Sequence, residues 1–157
     1  MIQRIQSVYL VLAIICLSIV SFGAKIVSFS NSESRYDIYS YGIDRRNISS
    51  GMIEENLQYF PGYLVGIGLI LLGAICLFLF KNLKLQIKVG RMFFYTYLAT
   101  IISVLVMIYL GQDQMTTPVD KRSLGLGFLF LVIGFPFTFL ANTGIKRDKK
   151  LLDSLNR

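Results

Sequence analysis

Four stretches of the chain contain no Asp, Glu, Lys or Arg: Ser7 to Ala24, Tyr63 to Phe80, Met92 to Leu110 and Leu124 to Ala141. Each is about 18 residues long, and at about 1.5 Å per residue a helix of that length spans roughly 27 Å, close to the hydrocarbon thickness of a bilayer. A backbone in lipid finds no water, so a spanning segment must satisfy its own N–H and C=O groups, as a helix does. Only 16% of the 157 residues are charged and 54% are apolar, with a mean hydropathy of +0.61; soluble domains carry about a quarter charged residues. The sequence predicts an all-α integral membrane protein, a four-transmembrane-helix bundle forming a single domain over residues 1–157. Its spans are expected near 7–24, 63–80, 92–110 and 124–141, with an extracytoplasmic segment over 25–62 and a cytoplasmic tail over 142–157.

The first run must be distinguished from a cleaved secretory signal. Ser21-Phe22-Gly23 resembles a cleavage site, but the apolar run is longer than an ordinary signal core, and Lys25 follows without a polar region between. A lipoprotein signal needs a small residue before its cysteine, whereas Ile14 and Ile15 precede Cys16. Retention as a first membrane helix is the expectation.

The net charge of +7 would suggest nucleic acid in a soluble protein. In a membrane protein it points instead to basic loops that fix orientation and face anionic headgroups, so the bilayer is the expected partner and nucleic acid is not. Lys81, Lys84, Lys88 and Arg91 stand between the second and third runs with no acid among them, and Lys146, Arg147, Lys149 and Lys150 follow the fourth. The segment after the first run is slightly acidic. Both termini and the middle loop are therefore placed in the cytoplasm, and these eight cations are the expected contacts with anionic lipid. Tyr9, Phe93, Phe94 and Tyr95 at one interface and Tyr59, Phe60, Tyr63 and Tyr109 at the other fit aromatic belts.

The outer segment alternates apolar and polar residues over Ile26 to Phe29 and again over Tyr36 to Ile43, around a polar Asn-Ser-Glu-Ser turn, which predicts a small β-hairpin. The stretch "RNISSGMIEENLQYF" is expected to be a loop followed by a short helix capped by Ser50. So few residues cannot bury a core alone. The hairpin is expected to rest on the helix ends or on a partner.

None of the four runs holds an acid, a base or a histidine, the usual marks of proton relays, ion coupling or intramembrane proteolysis. No catalytic, cofactor or metal site is expected. Cys16 and Cys76 lie at depths about 7 Å apart along the membrane normal, at the limit for a disulfide, and are expected to be buried thiols. Small residues recur at helical spacing: Gly62, Gly66 and Gly73 in the second run, Thr96, Thr100 and Ser103 in the third, and Gly127, Gly134 and Thr138 in the fourth, where Pro136 is expected to produce a kink. These faces suit helix packing or a partner helix. In the tail, Leu151, Leu152 and Leu155 fall on one helical face among basic residues, as in a helix lying on headgroups.

"MIQRIQSVYL" at the start and "GIKRDKKLLDSLNR" at the end resemble the two ends of a domain-of-unknown-function family of short, four-span bacterial inner-membrane proteins. The resemblance covers essentially the whole chain, with its specific motifs at the termini. It implies a multi-pass protein of the bacterial cytoplasmic membrane and carries no activity with it. The functional expectation is a non-catalytic subunit or accessory factor of a larger membrane complex, in contact with other membrane proteins. The alternative is a small transporter or flippase-like protein passing an apolar or lipidic substrate between the second and fourth helices.

Overall fold

The computed structural model describes residues 3–30, 34–48, 53–59, 61–110 and 121–155. The order of elements is α1 (Gln3–Ser21), β1 (Val27–Ser30), β2 (Ser34–Ile38), β3 (Gly42–Asn47), β4 (Ile53–Tyr59), α2 (Gly62–Phe78), a 3-10 turn (Leu79–Lys81), α3 (Leu83–Leu110), β5 (Lys121–Leu124) and α4 (Leu126–Leu155). The helices form a ring, α1 packing on α2 and α4, and α3 on α2 and α4. Leu10, Ala13 and Leu17 of α1, Leu69 and Cys76 of α2, Phe93 and Tyr97 of α3, and Leu131, Ala141 and Ile145 of α4 fill its centre.

Among the described residues three helical stretches are long and apolar enough to cross a membrane: Gly62–Lys81, Leu83–Leu110 and Leu126–Ser154. The apolar part of α1, Ile5–Ser21, is shorter, roughly 25 Å of helix. Its end is set by Gly23, whose φ of +109° suits a residue without Cβ. The Ala24 amide then bonds the Ile19 carbonyl at 3.2 Å, the six-to-one bond of a Schellman ending.

Two boundaries differ from the sequence expectation. The basic stretch Lys81 to Arg91 is largely helix, because α3 starts at Leu83. Asn82 caps it, its side-chain oxygen accepting from the Leu85 amide at 3.4 Å and its carbonyl from the Gln86 amide at 2.9 Å, and Gln86 and Gly90 are buried on the face that continues to Phe93 and Tyr97. Hydropathy finds where charge stops, whereas the helix runs on wherever its inner face is covered. For the same reason α4 passes through Pro136 and continues to Leu155, joining span and tail in one rod of about 45 Å.

The other correction lies in the segment before α2. Ile53–Tyr59 is a strand, not a helix, and pairs with β3, Gly42 opposite Tyr59 and Arg45 opposite Glu55; Ser50 lies outside the described residues. A short helix here would have left the outer edge of β3 unpaired. The expected hairpin is present as β1 and β2, with Val27 opposite Ile38 and Phe29 opposite Tyr36, and residues 31–33 of its turn lie outside those described. The second arm breaks after Ile38 into a tight reversal where the Tyr39 amide bonds the Gly42 carbonyl at 2.9 Å. The connection from α3 to α4 adds β5 against β1, giving one antiparallel sheet in the order β4-β3-β2-β1-β5. With a side-chain period of two, Val27, Phe29, Tyr36, Ile38 and Ile43 share one face and cluster with Met107 and Ile108 near the end of α3. The sheet therefore covers one end of the bundle.

Sheet and bundle meet where α1 leads into β1 and β5 into α4. The Gly125 amide bonds the Ile26 carbonyl at 2.9 Å and the Gly127 amide bonds the Lys25 carbonyl at 2.8 Å. A Cβ on Gly125 would stand 2.0 Å from the Lys25 oxygen, whereas one on Gly68 would meet nothing within 4 Å. Backbone cannot rotate aside. Gly125→Ala is expected to lower unfolding stability in detergent by about 1–3 kcal/mol or more, while Gly68→Ala, relieved of glycine's poor helix propensity, is neutral or stabilising by up to about 1 kcal/mol; equal melting temperatures for the two variants would contradict this account of the junction.

Candidate functional site

The small residues divide among three contacts. Gly66 faces α1, where a Cβ would overlap the Ser21 hydroxyl, and Gly73 lies under Ile14 of α1 and Phe93 of α3, both about 3 Å from a Cβ there. On α4, Gly127 lies against the Ala24 and Lys25 carbonyls, and Gly134 against Cys16 and the Tyr97 hydroxyl, which donates to the Leu131 carbonyl at 3.0 Å. Thr138 is buried and bonds the Phe135 carbonyl. Pro136 lies inside α4 on its exposed side; without an N–H it offers the Val132 carbonyl no helical partner.

Gly62, Thr96, Thr100 and Ser103 come together elsewhere. With Val65, Leu72 and Met107 they line a groove between α2 and α3, with a volume of about 520 Å³. The Thr96 hydroxyl bonds the Met92 carbonyl and the Thr100 hydroxyl the Thr96 carbonyl, each at 2.9 Å. Both are thus occupied within their own helix, and the groove presents an almost wholly apolar wall. This groove lies between α2 and α3, whereas the sequence expectation named the second and fourth helices, which each pack chiefly on α1 and α3.

Lys81 from the 3-10 turn, Lys84, Lys88 and Arg91 from the first turns of α3, and Lys146, Arg147, Lys149 and Lys150 from α4 gather at the end away from the sheet, where Gly90 of α3 meets Asn142 and Ile145 of α4. Beneath them is a buried polar layer that the sequence reading missed. Gln6 donates from Nε2 to Asp148 Oδ2, and both side chains are more than nine-tenths buried. Gly144 allows this approach, since a Cβ there would stand 2.7 Å from Gln6 Cγ. Gln86 donates to the Cys76 carbonyl at 3.1 Å, and the Cys76 thiol points back to the Gln86 carbonyl at 3.7 Å. The signal for Asp148 was spacing: Thr138, Ala141, Asn142, Ile145 and Asp148 are all buried and recur with the i, i+3, i+4, i+7 pattern of one helical face, so the inward stripe of α4 continues through the charge run. Both cysteines are free and buried.

On the far side of the sheet, Asp37 is buried beneath cations, 3.1 Å from Arg35, 3.5 Å from Lys25 and 3.7 Å from Arg46. Its cross-strand neighbour Asp44 accepts from the Tyr41 hydroxyl at 3.3 Å. Burial and Asp44 itself push the Tyr41 phenol above its ordinary range, which keeps it protonated as a donor. These contacts are mutual neutralisation within the sheet. Among the described residues no cluster of His, Cys, Asp or Glu could hold a metal ion.

A mostly helical chain with three helices long and apolar enough to cross a membrane, and a small antiparallel sheet over one end, is the class of protein that these features define. The chain belongs to the family described as Domain of unknown function (DUF4293), which matches residues 2–157. No curated protein matches it.

The pair that joins the two ends of the chain is open to measurement. Gln6→Ala and Asp148→Ala are each expected to lower stability by about 1–3 kcal/mol, since each leaves a buried polar group without its partner. In a double-mutant cycle followed by unfolding in mixed micelles, the double variant should lose less than the sum by about 0.5–2 kcal/mol. Strict additivity would show that the two side chains do not interact.

Proposed function

We propose that this is a four-span protein of the bacterial cytoplasmic membrane, with both termini in the cytoplasm, serving without catalysis as a subunit or accessory factor of a larger membrane assembly. The observation that carries the reading is the sheet. Both connections at one end of the bundle are drawn into it, and its order leaves β4 and β5 as edges, with all four residues of β5 exposed. Among the described residues nothing pairs with the outer side of either, and an edge strand of this kind offers backbone groups to which a partner strand can add. At the other end the eight clustered cations suit the anionic cytoplasmic leaflet, and the charge bias of the loops supports an inside location for them.

Photo-crosslinking from Arg122 of β5 at native expression should capture one partner in stoichiometric amount, also recovered by gentle solubilisation and affinity capture. Recovery of the monomer alone would overturn the subunit reading. Orientation is tested separately with single cysteines at Ile48 and Asn82, both exposed, in a Cys16→Ala, Cys76→Ala background. An impermeant thiol reagent on spheroplasts should label position 48 and reach position 82 only after lysis; the reverse pattern inverts the topology.

The groove between α2 and α3 favours a second reading, movement of a lipidic substrate along that seam. Liposomes reconstituted with the protein should then scramble labelled lipid, and inert liposomes would leave the subunit reading alone.

A further inference from the structure

The glycines of α2 are of two kinds. On Gly66 and Gly73 a Cβ would meet side chains of α1 at 2.0 and 3.0 Å, whereas on Gly68, between them, it would meet nothing within 4 Å. Glycine is a poor helix former, and at the first two positions the close approach of α1 accounts for it. At Gly68 no contact within the chain does. The α3 wall facing the same space is also built from small residues, Thr96, Ala99, Thr100 and Ser103. Small residues on neighbouring helices ordinarily let the backbones close together; here they border a groove of about 520 Å³, and their effect is to keep a recess open.

The floor of that recess belongs to the core. Leu69 is buried in the central cluster, with Leu72 and Val104 packed against it. Met107, toward the other end, packs instead with Val27, Phe29 and Ile38 of the sheet. An occupant lying along the groove therefore touches both apolar clusters and joins them.

The walls restrict what that occupant is. No charged residue lines the groove, and the Thr96 and Thr100 hydroxyls are bonded to their own helix. Ordered water needs about two to four polar partners, which such walls do not supply. A helix is too large. The lining runs from Gly62 to Leu72 and from Thr96 to Met107, about 15 Å at helical rise, over which a helix about 10 Å across fills roughly 1,200 Å³, more than twice the groove. A single hydrocarbon chain meets both limits. Because α2 and α3 lie in two of the stretches able to cross a membrane, acyl chains are what a bilayer presents to this seam.

We propose that the α2–α3 groove holds one acyl chain of a phospholipid as a resident part of the fold, bound through its hydrocarbon and not through its headgroup. The chain takes the place of side chains at the seam and completes the packing between the helical core and the sheet, the driving force being removal of apolar surface from poorer contacts. The site rests on the protein spanning a membrane and needs neither a protein partner nor lipid movement. It differs from lipid at the cytoplasmic cations, which headgroup charge recruits.

The test uses the full chain in phosphatidylcholine nanodiscs carrying a trace of phosphatidylcholine with a photoactivatable acyl chain. Label should concentrate on peptides covering 62–72 and 96–107, at least tenfold above the exposed side of α1 at Ile5, Val8 and Val11. A phosphatidylglycerol probe of the same chain should label these peptides equally. Gly68→Leu, and separately Ala99→Leu, place protein side chains in the recess and should each lower the label at least tenfold, with a melting temperature in detergent no lower than that of the unsubstituted protein. Added phospholipid should raise the melting temperature of the unsubstituted protein in detergent and leave that of the filled variants unchanged. Label spread evenly over all four helices, or retained in both filled variants, would overturn the site. A tenfold preference for one headgroup would overturn recognition through the chain alone, and loss of label from these peptides in nanodiscs holding two copies would assign the groove to a second copy instead. Failure of the protein to enter nanodiscs at all would refute the membrane reading on which the site rests.

Discussion

Two carbonyl oxygens, those of Lys25 and Ile26, set the arrangement of everything around them. They accept the Gly127 and Gly125 amides at the point where the end of α1 passes the start of α4. That close crossing is possible because both donors lack a Cβ, and it has effects in two directions. Below it α4 is brought beside α1; above it β5 is brought beside β1, so the two outer connections become one sheet. With α4 held on one side of α1 and α2 on the other, α3 closes the ring, and the seam between α2 and α3 is where the groove opens.

Each end of the molecule conceals a carboxylate under basic residues, by different means. In the sheet, Asp37 is reached by Arg35 two positions along its own strand, by Arg46 from the neighbouring strand and by Lys25 from before β1. Long cationic side chains cover it while their charged ends stay partly exposed. At the other end Asp148 stands among cations in the sequence. Helical rotation turns Lys146, Arg147 and Lys150 outward to exposure and Asp148 inward to Gln6. A charge count over the segment sees a basic tail; the helix converts it into a basic exterior and a polar interior.

Much of the helical framework was legible because its signal is local. Absence of charge over about 18 residues locates an apolar helix regardless of what packs on it, and the alternation in "IVSF" located the first strand and its hairpin partner. What was not legible depended on distant neighbours. "IEENLQY" carries no clean alternation and becomes a strand by pairing with β3; "KRSL" becomes one by pairing with β1 nearly a hundred residues away, as Ser28 facing Ser123 at 3.1 Å illustrates. The first turns of α3 were hidden because lysines on the outer face masked a buried face at Gln86 and Gly90. Asp148 was missed because it was counted with its neighbours in sequence instead of with Ala141 and Ile145, its neighbours on the helix. The groove had no sequence signature beyond small residues, since a recess depends on the angle between two helices.

The ring closes through its first and last members, with consequences for the order in which it can form. Gln6 meets Asp148 across 142 positions of chain, and β1 receives β5 only once the connection after α3 exists. A ribosome that has delivered α1, α2 and α3 has delivered an open horseshoe, with the polar side chain of Gln6 and the inner edge of β1 both without their final neighbours. The last helix completes both ends of the molecule at once. The chain therefore passes through a stage in which these groups lack their native partners, and the native state is reached only when the C-terminal segment supplies them.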